Sequence, residues 1–519
     1  MVESAIKSIE RHKTAIRRYS LSRPVSLLLQ NSIIRPGQKV FDYGCGHGHD
    51  VEILQQQGFE IAGYDPYYRP EVPPHAADVV NLGFVLNVIE NPSERADVLQ
   101  RAFALATKVI CVSVMTTLQQ GYEGESYADG VVSKRKTFQK FYTQDEIKSY
   151  IETILERPAT PIEPGIFVIF REEANRLEFL ETRLSRRRVT LLIQGLERPS
   201  SLPRPASAPR LSVVERIKAH EQLPDLLTFI SNHGRMPIIG ESAAFDALTS
   251  DLGHGTRIEQ AIVSLLDPEA LASCIALRKS DLEVMYATRR FDKRGYPKQT
   301  DVPLPTLSDI KAFYGSYKAF LECATQLLFS LGSDDAVTKA FSKCKLGKHL
   351  PDAVYVHTSM ITSLPSQIRV LIGVAESLLG IPPDCNILKL NKVKRKISFM
   401  VYEDFDAIAH PALRFTYVVD VPKGEVKFWD FSSRENPPIL HRKESFVAPD
   451  YPDFDKFRKL TQQEDNAALL SSNSIGTRQN WEALLVSSGY RVAGHRLLKT
   501  RKASESAAGT EPASLKGGK

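Results

Sequence analysis

The sequence has no uninterrupted apolar run of about eighteen residues, the length that a helix needs to cross a bilayer. Its six cysteines stand singly, with no C-x-x-C pair, which argues against zinc, an iron–sulfur cluster or a disulfide framework. The N-terminal segment contains Glu3 and Glu10 and lacks the apolar core of a signal peptide, so we expect a solvated amphipathic helix there. These absences predict a cytoplasmic protein without a membrane or metal partner.

The chain also lacks a strong charge of either sign. Its formal net charge is +6 over 519 residues, with ordinary hydrophobic (42%) and charged (25%) fractions. That length allows two or three domains with sizeable cores. Basic residues should therefore matter where they cluster rather than by their total number.

The most informative segment is 38–65, whose pattern predicts a strand, a glycine turn, a helix and a second strand that ends at an acid. Gly44 and Gly46 would let the backbone pass close to a ligand, because a Cβ atom there would collide with it. Asp65 is placed to accept hydrogen bonds from both ribose hydroxyls of a nucleoside. The segment therefore predicts a site for a nucleoside cofactor.

The start of the glycine turn indicates which cofactor. A dinucleotide fingerprint would read G-x-G-x-x-G, whereas this turn reads D-x-G-x-G-x-G-x-D from Asp42 onward. A carboxylate beside a diphosphate would be repelled, but it suits a cationic, amino-bearing ligand. The alternative is an ordinary strand–helix–strand unit whose glycines only make a tight turn.

This pattern resembles motif I of the class I S-adenosylmethionine-dependent methyltransferases. The resemblance implies S-adenosylmethionine as the cofactor, with Asp42 facing its methionine end and Asp65 holding its ribose. The predicted cofactor-binding residues are Asp42, Tyr43, Gly44, Gly46, Asp65 and Asn81.

Further apolar runs at 76–86, 107–115 and 165–170 predict more strands of the same sheet, the last of them antiparallel. Only about a dozen proline-rich residues separate Asp65 from the run at 76–86, so the usual third strand should be missing or very short. Tyr67 and Tyr68 in that segment could stack on the adenine, or they could simply pack.

Asn81-Leu82-Gly83-Phe84 stands where amino-methylating DNA methyltransferases carry an N-P-P-[FY]-like tetrapeptide. In those enzymes the Asn accepts a hydrogen bond from a base amine, and the aromatic ring stacks on the flipped base. The alternative is a loop that only lines the cofactor. The candidate catalytic residues are Asn81, through hydrogen bonding, and Asp78, as a proton acceptor.

Two basic stretches could contact a phosphate backbone. Residues 116–142 carry several Lys and Arg residues, which predicts a lid over cofactor and substrate or a disordered surface excursion. A second run suits nucleic acid, although such runs are often only a solvated face. Its members are Lys389, Lys392, Lys394, Arg395 and Lys396.

The predicted fold class is α/β: a Rossmann-like sheet at the N-terminus, then a mainly helical region and a small C-terminal α+β region. We expect a methyltransferase domain at 1–190, a proline- and serine-rich linker at 191–212 and a helical domain at 213–383. An α+β domain should follow at 384–500, with a disordered low-complexity tail at 501–519.

Long peptides across the chain resemble the bacterial DNA phosphorothioation-associated methyltransferase family. They include RHKTAIRRYSLSRPVSLLL, FDYGCGHGHDVEIL, NLGFVLNVIENPSERADVL, NPPILHRKESFVAPDYP and IGTRQNWEALL. The resemblance implies a place beside systems that exchange a non-bridging phosphate oxygen of DNA for sulfur. DNA and proteins of that system are therefore the expected partners. The other hypotheses are a nonenzymatic accessory protein and a methyltransferase of RNA or of a small molecule.

Overall fold

The computed structural model describes residues 9–117, 124–192, 213–253, 256–291, 295–382, 384–472 and 475–500. The side chains of residues 184–192, 213, 256 and 257 are not described. Two compact units make up the chain, one from residues 1–399 and 417–428, the other from 400–416 and 429–519. The predicted tail and nearly all of the predicted linker fall outside the described residues. No helix in the described ranges is long and apolar enough to cross a membrane.

The N-terminal part of the first unit is a layered α/β domain. Its strands are β1 (Lys39–Tyr43), β2 (Glu60–Tyr64), β3 (Ala77–Gly83), β4 (Ala106–Ser113), β5 (Glu125–Tyr127), β6 (Gly130–Val132), β7 (Phe138–Gln139), β8 (Thr160–Glu163) and β9 (Ile166–Phe170). Its helices are α1 (Arg23–Gln30), α2 (His49–Gln56), α3 (Pro92–Leu105), α4 (Gln144–Leu155) and α5 (Glu173–Leu192).

The main sheet has the order β2-β1-β3-β4-β9-β8. Strands β1 to β4 are parallel, and β9 runs antiparallel to β4, as the sequence predicted. The described segment 65–76 contains no strand, so β2 is the edge of the sheet and the expected loss of a third strand is confirmed. Both faces are covered, because the central strands are apolar on both sides and pack into two core clusters.

The stretch 213–383, which the sequence predicts to be mainly helical, consists mainly of helices in its described residues. Its helices are α6 (Val213–Lys218), α7 (Leu223–His233), α8 (Ala243–Leu252), α9 (Thr256–Val263), α10 (Pro268–Arg289), α11 (Leu304–Tyr314), α12 (Tyr317–Ser330), α13 (Asp334–Lys343) and α14 (Ser366–Leu379).

A fully buried carboxylate joins these helices. Asp309 on α11 accepts hydrogen bonds from His233 Nδ1 at 2.9 Å, Arg235 Nε at 2.6 Å and Arg278 Nε at 2.7 Å. Arg278 also pairs with Glu181 on α5, which links the helical part to the N-terminal domain. Burial opposes the ionisation of Asp309, but the His233 hydrogen bond and the arginine charges lower its pKa overall.

A second sheet has the order β10-β11-β12-β13-β14-β15. Its strands are β10 (Lys348–His349), β11 (Ala353–His357), β12 (Ile387–Asn391), β13 (Lys396–Tyr402), β14 (Leu413–Asp420) and β15 (Glu425–Asp430). The three strands predicted from alternating and β-branched patterns are β13, β14 and β15. Strands β10 and β11 lie within the stretch predicted to be helical, so this sheet begins before residue 384.

The second unit adds α15 (Phe454–Asn466), α16 (Arg478–Ser487) and a hairpin of β16 (Tyr490–Ala493) and β17 (Arg496–Lys499). One of its buried clusters centres on Trp481, which is 3% exposed, and on Leu469.

Candidate functional site

A cavity of about 1780 Å³ opens at the carboxyl ends of β1, β2 and β3. In doubly wound sheets this is the edge at which ligands bind. The cavity is lined by the glycine turn, the loops after β2 and β3, the chain before α1 and the turn between β6 and β7. Of the residues predicted to bind cofactor, all six line it.

Two buried polar side chains lie side by side in this cavity. Asn81 Nδ2 on β3 donates a hydrogen bond of 2.8 Å to Asp42 Oδ1 on β1, because these residues are paired across the two parallel strands. Asn81 Oδ1 is buried and accepts no hydrogen bond from the described residues. The pair therefore offers an unused acceptor oxygen next to a carboxyl group.

The carboxyl group of Asp42 titrates near neutral pH. Burial raises its pKa to about 7, and the carboxylate of Asp50 adds to the increase. The hydrogen bond from Asn81 acts in the opposite direction. A cationic ligand would shift Asp42 toward its charged form.

The glycine turn passes close to the loop after β3. Gly44 has a φ of +85°, and a Cβ atom on it would lie 2.4 Å from Val85 Cγ2. Gly46 has a φ of +53° and donates its N–H to Asp65 Oδ2 at 3.1 Å. The turn thus requires glycine at position 44 both for backbone conformation and for space.

Asp65 at the end of β2 is held by backbone amides. Besides Gly46, it accepts hydrogen bonds of 2.9 Å from the N–H groups of Tyr67 and Tyr68. These bonds fix the carboxylate at the cavity wall, where the remaining lone pair, on Oδ2, could accept a hydrogen bond from a ribose hydroxyl. The ring of Tyr67 stacks on His12 with centroids 4.1 Å apart, and both tyrosines line the cavity, so adenine stacking stays a prediction.

The structure contradicts the catalytic role predicted for Asp78. This residue lies near the start of β3, at the sheet edge opposite to the cavity. Its carboxylate accepts from the Lys39 amide and Thr107 and lies 3.2 Å from Lys108 Nζ. Asn81 lies three positions further along the strand, about 10 Å away, so Asp78 does not reach a group held there.

The loop after β3 contains a strained residue. Phe84 has a φ of +59°, which L residues with bulky side chains rarely adopt. Its ring lines the cavity, and the guanidinium of Arg18 lies 6.0 Å from the ring centroid. Asn81 and Phe84 thus both line the cavity, which fits the tetrapeptide of amino methyltransferases and equally fits a loop that only lines the cofactor.

Residues 9–22, which we call the N-terminal strap, cross the same cavity. Arg11 pairs with Glu90 at 2.8 Å and with Glu94 at 2.6 Å. The carbonyl of His12 accepts a hydrogen bond from the hydroxyl of Tyr68. The prediction of an amphipathic helix here is wrong for the described residues. The strap contains a single 3-10 turn and binds the cavity walls instead.

The basic insert forms part of the cavity wall. Strands β5, β6 and β7 make a small antiparallel sheet, and the turn at 134–136 carries two lysines and an arginine at the cavity. The backbone N–H of Glu10 in the strap donates to the carbonyl of Lys136 at 2.8 Å. Lys140 does not face the cavity, because it pairs with Asp129 and Glu146. Residues 118–123 of the predicted lid lie outside the described residues.

The basic run at 389–396 lies on β12, the turn after it and the first residue of β13. Protein groups already engage much of it. Arg395 pairs with an aspartate of α13, Lys396 Nζ lies 2.8 Å from Asp420, and Lys392 Nζ donates to a backbone carbonyl. Less positive charge remains for nucleic acid than the sequence suggested.

One protein-family comparison matches the N-terminal part of the chain. Residues 14–153 match a family described as "Methyltransferase domain". Together with the observed sheet order, the match confirms the predicted Rossmann-like methyltransferase domain at the N-terminus. The match ends before the helical and C-terminal parts. No curated protein matches the chain.

Solved structures also match over part of the chain. A 1,6-didemethyltoxoflavin-N1-methyltransferase from Burkholderia thailandensis is 17% identical, over 28% of this chain and 76% of that one, with a TM-score of 0.22. The magnesium protoporphyrin IX methyltransferase of Synechocystis PCC 6803 is 16% identical, over 28% and 80%, with a TM-score of 0.21.

Proposed function

We propose that the N-terminal domain binds S-adenosylmethionine and transfers its methyl group to DNA in the context of phosphorothioate modification. The observation that carries the proposal is the buried Asp42–Asn81 pair beneath the glycine turn. The carboxyl group suits the cationic methionine end of the cofactor, and the unused Asn81 Oδ1 suits an amine N–H of the acceptor.

S-adenosylmethionine would supply a methyl group that is already activated on a sulfonium sulfur. The residues of this chain would then act by position. Asp65 and the glycine turn would hold the nucleoside, Asn81 would orient an acceptor amine, and the strap would limit access of water.

The acceptor class rests on charge and on the family resemblance. Arg18, Arg101 and the turn at 134–136 place positive charge around the cavity, which favours an anionic substrate. The resemblance to the phosphorothioation-associated family supports DNA among anionic substrates.

The decisive experiment is transfer of a tritiated methyl group from S-adenosylmethionine to phosphorothioated DNA, ordinary DNA, tRNA and protein fractions. We expect label in DNA, and loss of that label in Asn81→Ala. Label in tRNA alone would make RNA the substrate. Cofactor binding without transfer to any fraction would indicate an accessory protein instead.

DNA binding can be tested separately by titration against salt. Replacing Lys134, Arg135 and Lys136 with Gln should reduce the salt slope of DNA binding by about two to three, since each lost phosphate contact contributes about 0.9. A control with Lys318→Gln and Lys339→Gln, two exposed lysines of the helical part, should keep the wild-type slope. Equal slopes in all three proteins would remove the turn from the DNA surface.

A further inference from the structure

Two histidines and a glutamate, distant in sequence, meet inside the second unit. His410 lies in the loop between β13 and β14, His441 in the long loop after β15, and Glu464 on α15. One nitrogen or oxygen atom of each lies within 4.8 Å of those of the other two. The expectation of no metal rested on the spacing of the cysteines, which carries no information about these two histidines and the glutamate.

The glutamate is the most deeply buried member. Its side chain is 1% exposed, and Oε1 lies 2.9 Å from His410 Nε2. This approach does not have the geometry of a hydrogen bond, so Oε1 is buried without a hydrogen-bond partner. A buried carboxylate oxygen without a donor is costly, and a bound cation would satisfy it.

The orientation of His441 fits a ligand. Its Nε2 lies 2.8 Å from the carbonyl oxygen of Ile475, which makes Nε2 the protonated donor. Nδ1 is then the nitrogen that carries a lone pair. Metal-binding histidines commonly fix their second ring nitrogen by such a bond to a backbone carbonyl.

The surroundings partly enclose the cluster, since Glu464 is buried and the two histidines are half-buried. The indole of Trp481 packs on both imidazoles, with centroids 4.8 Å from His410 and 4.7 Å from His441. The nearby ammonium group of Lys443 is held by backbone carbonyls and by His495 Nε2 at 2.9 Å. Three protein ligands would leave the fourth position of a tetrahedral ion open.

We propose that His410, His441 and Glu464 bind a divalent transition-metal ion that fastens two loops to α15. Imidazole and carboxylate ligands suit Zn²⁺, which prefers tetrahedral geometry. With bonds of about 2.0–2.1 Å, neighbouring ligand atoms would lie about 3.3 Å apart, so the widest pair must close by about 1.5 Å. Metal binding would contribute folding free energy to this unit by joining segments that are distant in sequence.

The test uses the full-length chain, treated with a chelator and then titrated with Zn²⁺ by calorimetry. We expect one equivalent to bind and the thermal midpoint to rise with Zn²⁺ concentration. Glu464→Gln and His410→Gln should each weaken binding by about a hundredfold or more, whereas His349→Gln, an exposed histidine on β10, should not change it.

The absence of a one-equivalent binding step in the wild type would overturn the proposal, and so would unchanged affinity in Glu464→Gln. If Glu464→Gln does not fold, His410→Gln gives the same decision. All of these readouts are independent of methyl transfer, so the proposed function and the metal site can fail separately.

Discussion

The affinity for S-adenosylmethionine should rise about tenfold between pH 6 and pH 8. The pKa of Asp42 is raised to about 7, chiefly by burial and then by Asp50, so the carboxyl group ionises within this interval. About one molecule in ten is ionised at pH 6 and about nine in ten at pH 8. If the cationic cofactor binds the ionised form, its association constant follows that fraction and levels off above pH 8.

Calorimetry at pH 6, 7, 8 and 9 measures this dependence. Asp42→Asn should bind more weakly and without the rise, because the amide carries no charge at any of these pH values. Asp78→Asn is the matched control, an acid near the start of a neighbouring strand and away from the cavity. A flat wild-type profile, or an equal rise in Asp42→Asn, would refute the reasoning.

The ionisation of Asp42 also makes the stability of the fold depend on pH, in a direction that can be measured without cofactor. In the unfolded chain an aspartate has a pKa of about 3.9, so between about pH 4 and pH 7 the native state binds more protons at Asp42. Wild-type stability should therefore fall relative to Asp42→Asn as the pH rises through this window. The difference between the two thermal midpoints, followed from pH 4.5 to pH 8, measures the effect.

Two further substitutions test the turn and the helical part. Gly44→Ala should reduce cofactor affinity by about tenfold or more in calorimetry, because its Cβ would meet Val85. Gly37→Ala is the control and should keep wild-type affinity, because Gly37 has a similar φ of +82° but nothing within 4 Å of the added Cβ. Asp309→Asn should lower the free energy of unfolding by about 3–5 kcal/mol in chemical denaturation, because two arginines and a histidine lose their buried partner. The exposed Asp97→Asn should stay within about 0.5 kcal/mol.

Local pattern was enough to predict five of the six strands of the first sheet, but it missed β8 at the edge. Apolar runs bounded by glycines and acids specify β1, the turn and β2, since each depends on residues close in sequence. The short segment after Asp65 also predicted that the usual third strand would be missing or very short. The residues of the proposed cofactor site could be predicted for the same reason, because they lie at or near the carboxyl ends of these strands.

Features that depend on distant residues could not be predicted in this way. Asp78 stands near Asn81 in sequence, but the rise along a strand places them at different heights in the sheet. The contact of Arg11 with Glu90 joins segments that no local pattern connects. Asp309 and its cationic partners likewise meet only after the helices pack.

The N-terminal strap would couple cofactor exchange to a pair of surface ion pairs. A cofactor bound beneath residues 9–22, as we propose, would leave more easily when Arg11 separates from Glu90 and Glu94. These ion pairs are partly exposed, so salt weakens them. Raised ionic strength should then speed release of the spent cofactor while it weakens attraction of a polyanionic substrate. The ionic strength of fastest turnover would therefore lie between the low values that favour substrate attraction and the high values that favour cofactor release. Its value would depend on how tightly the strap is held.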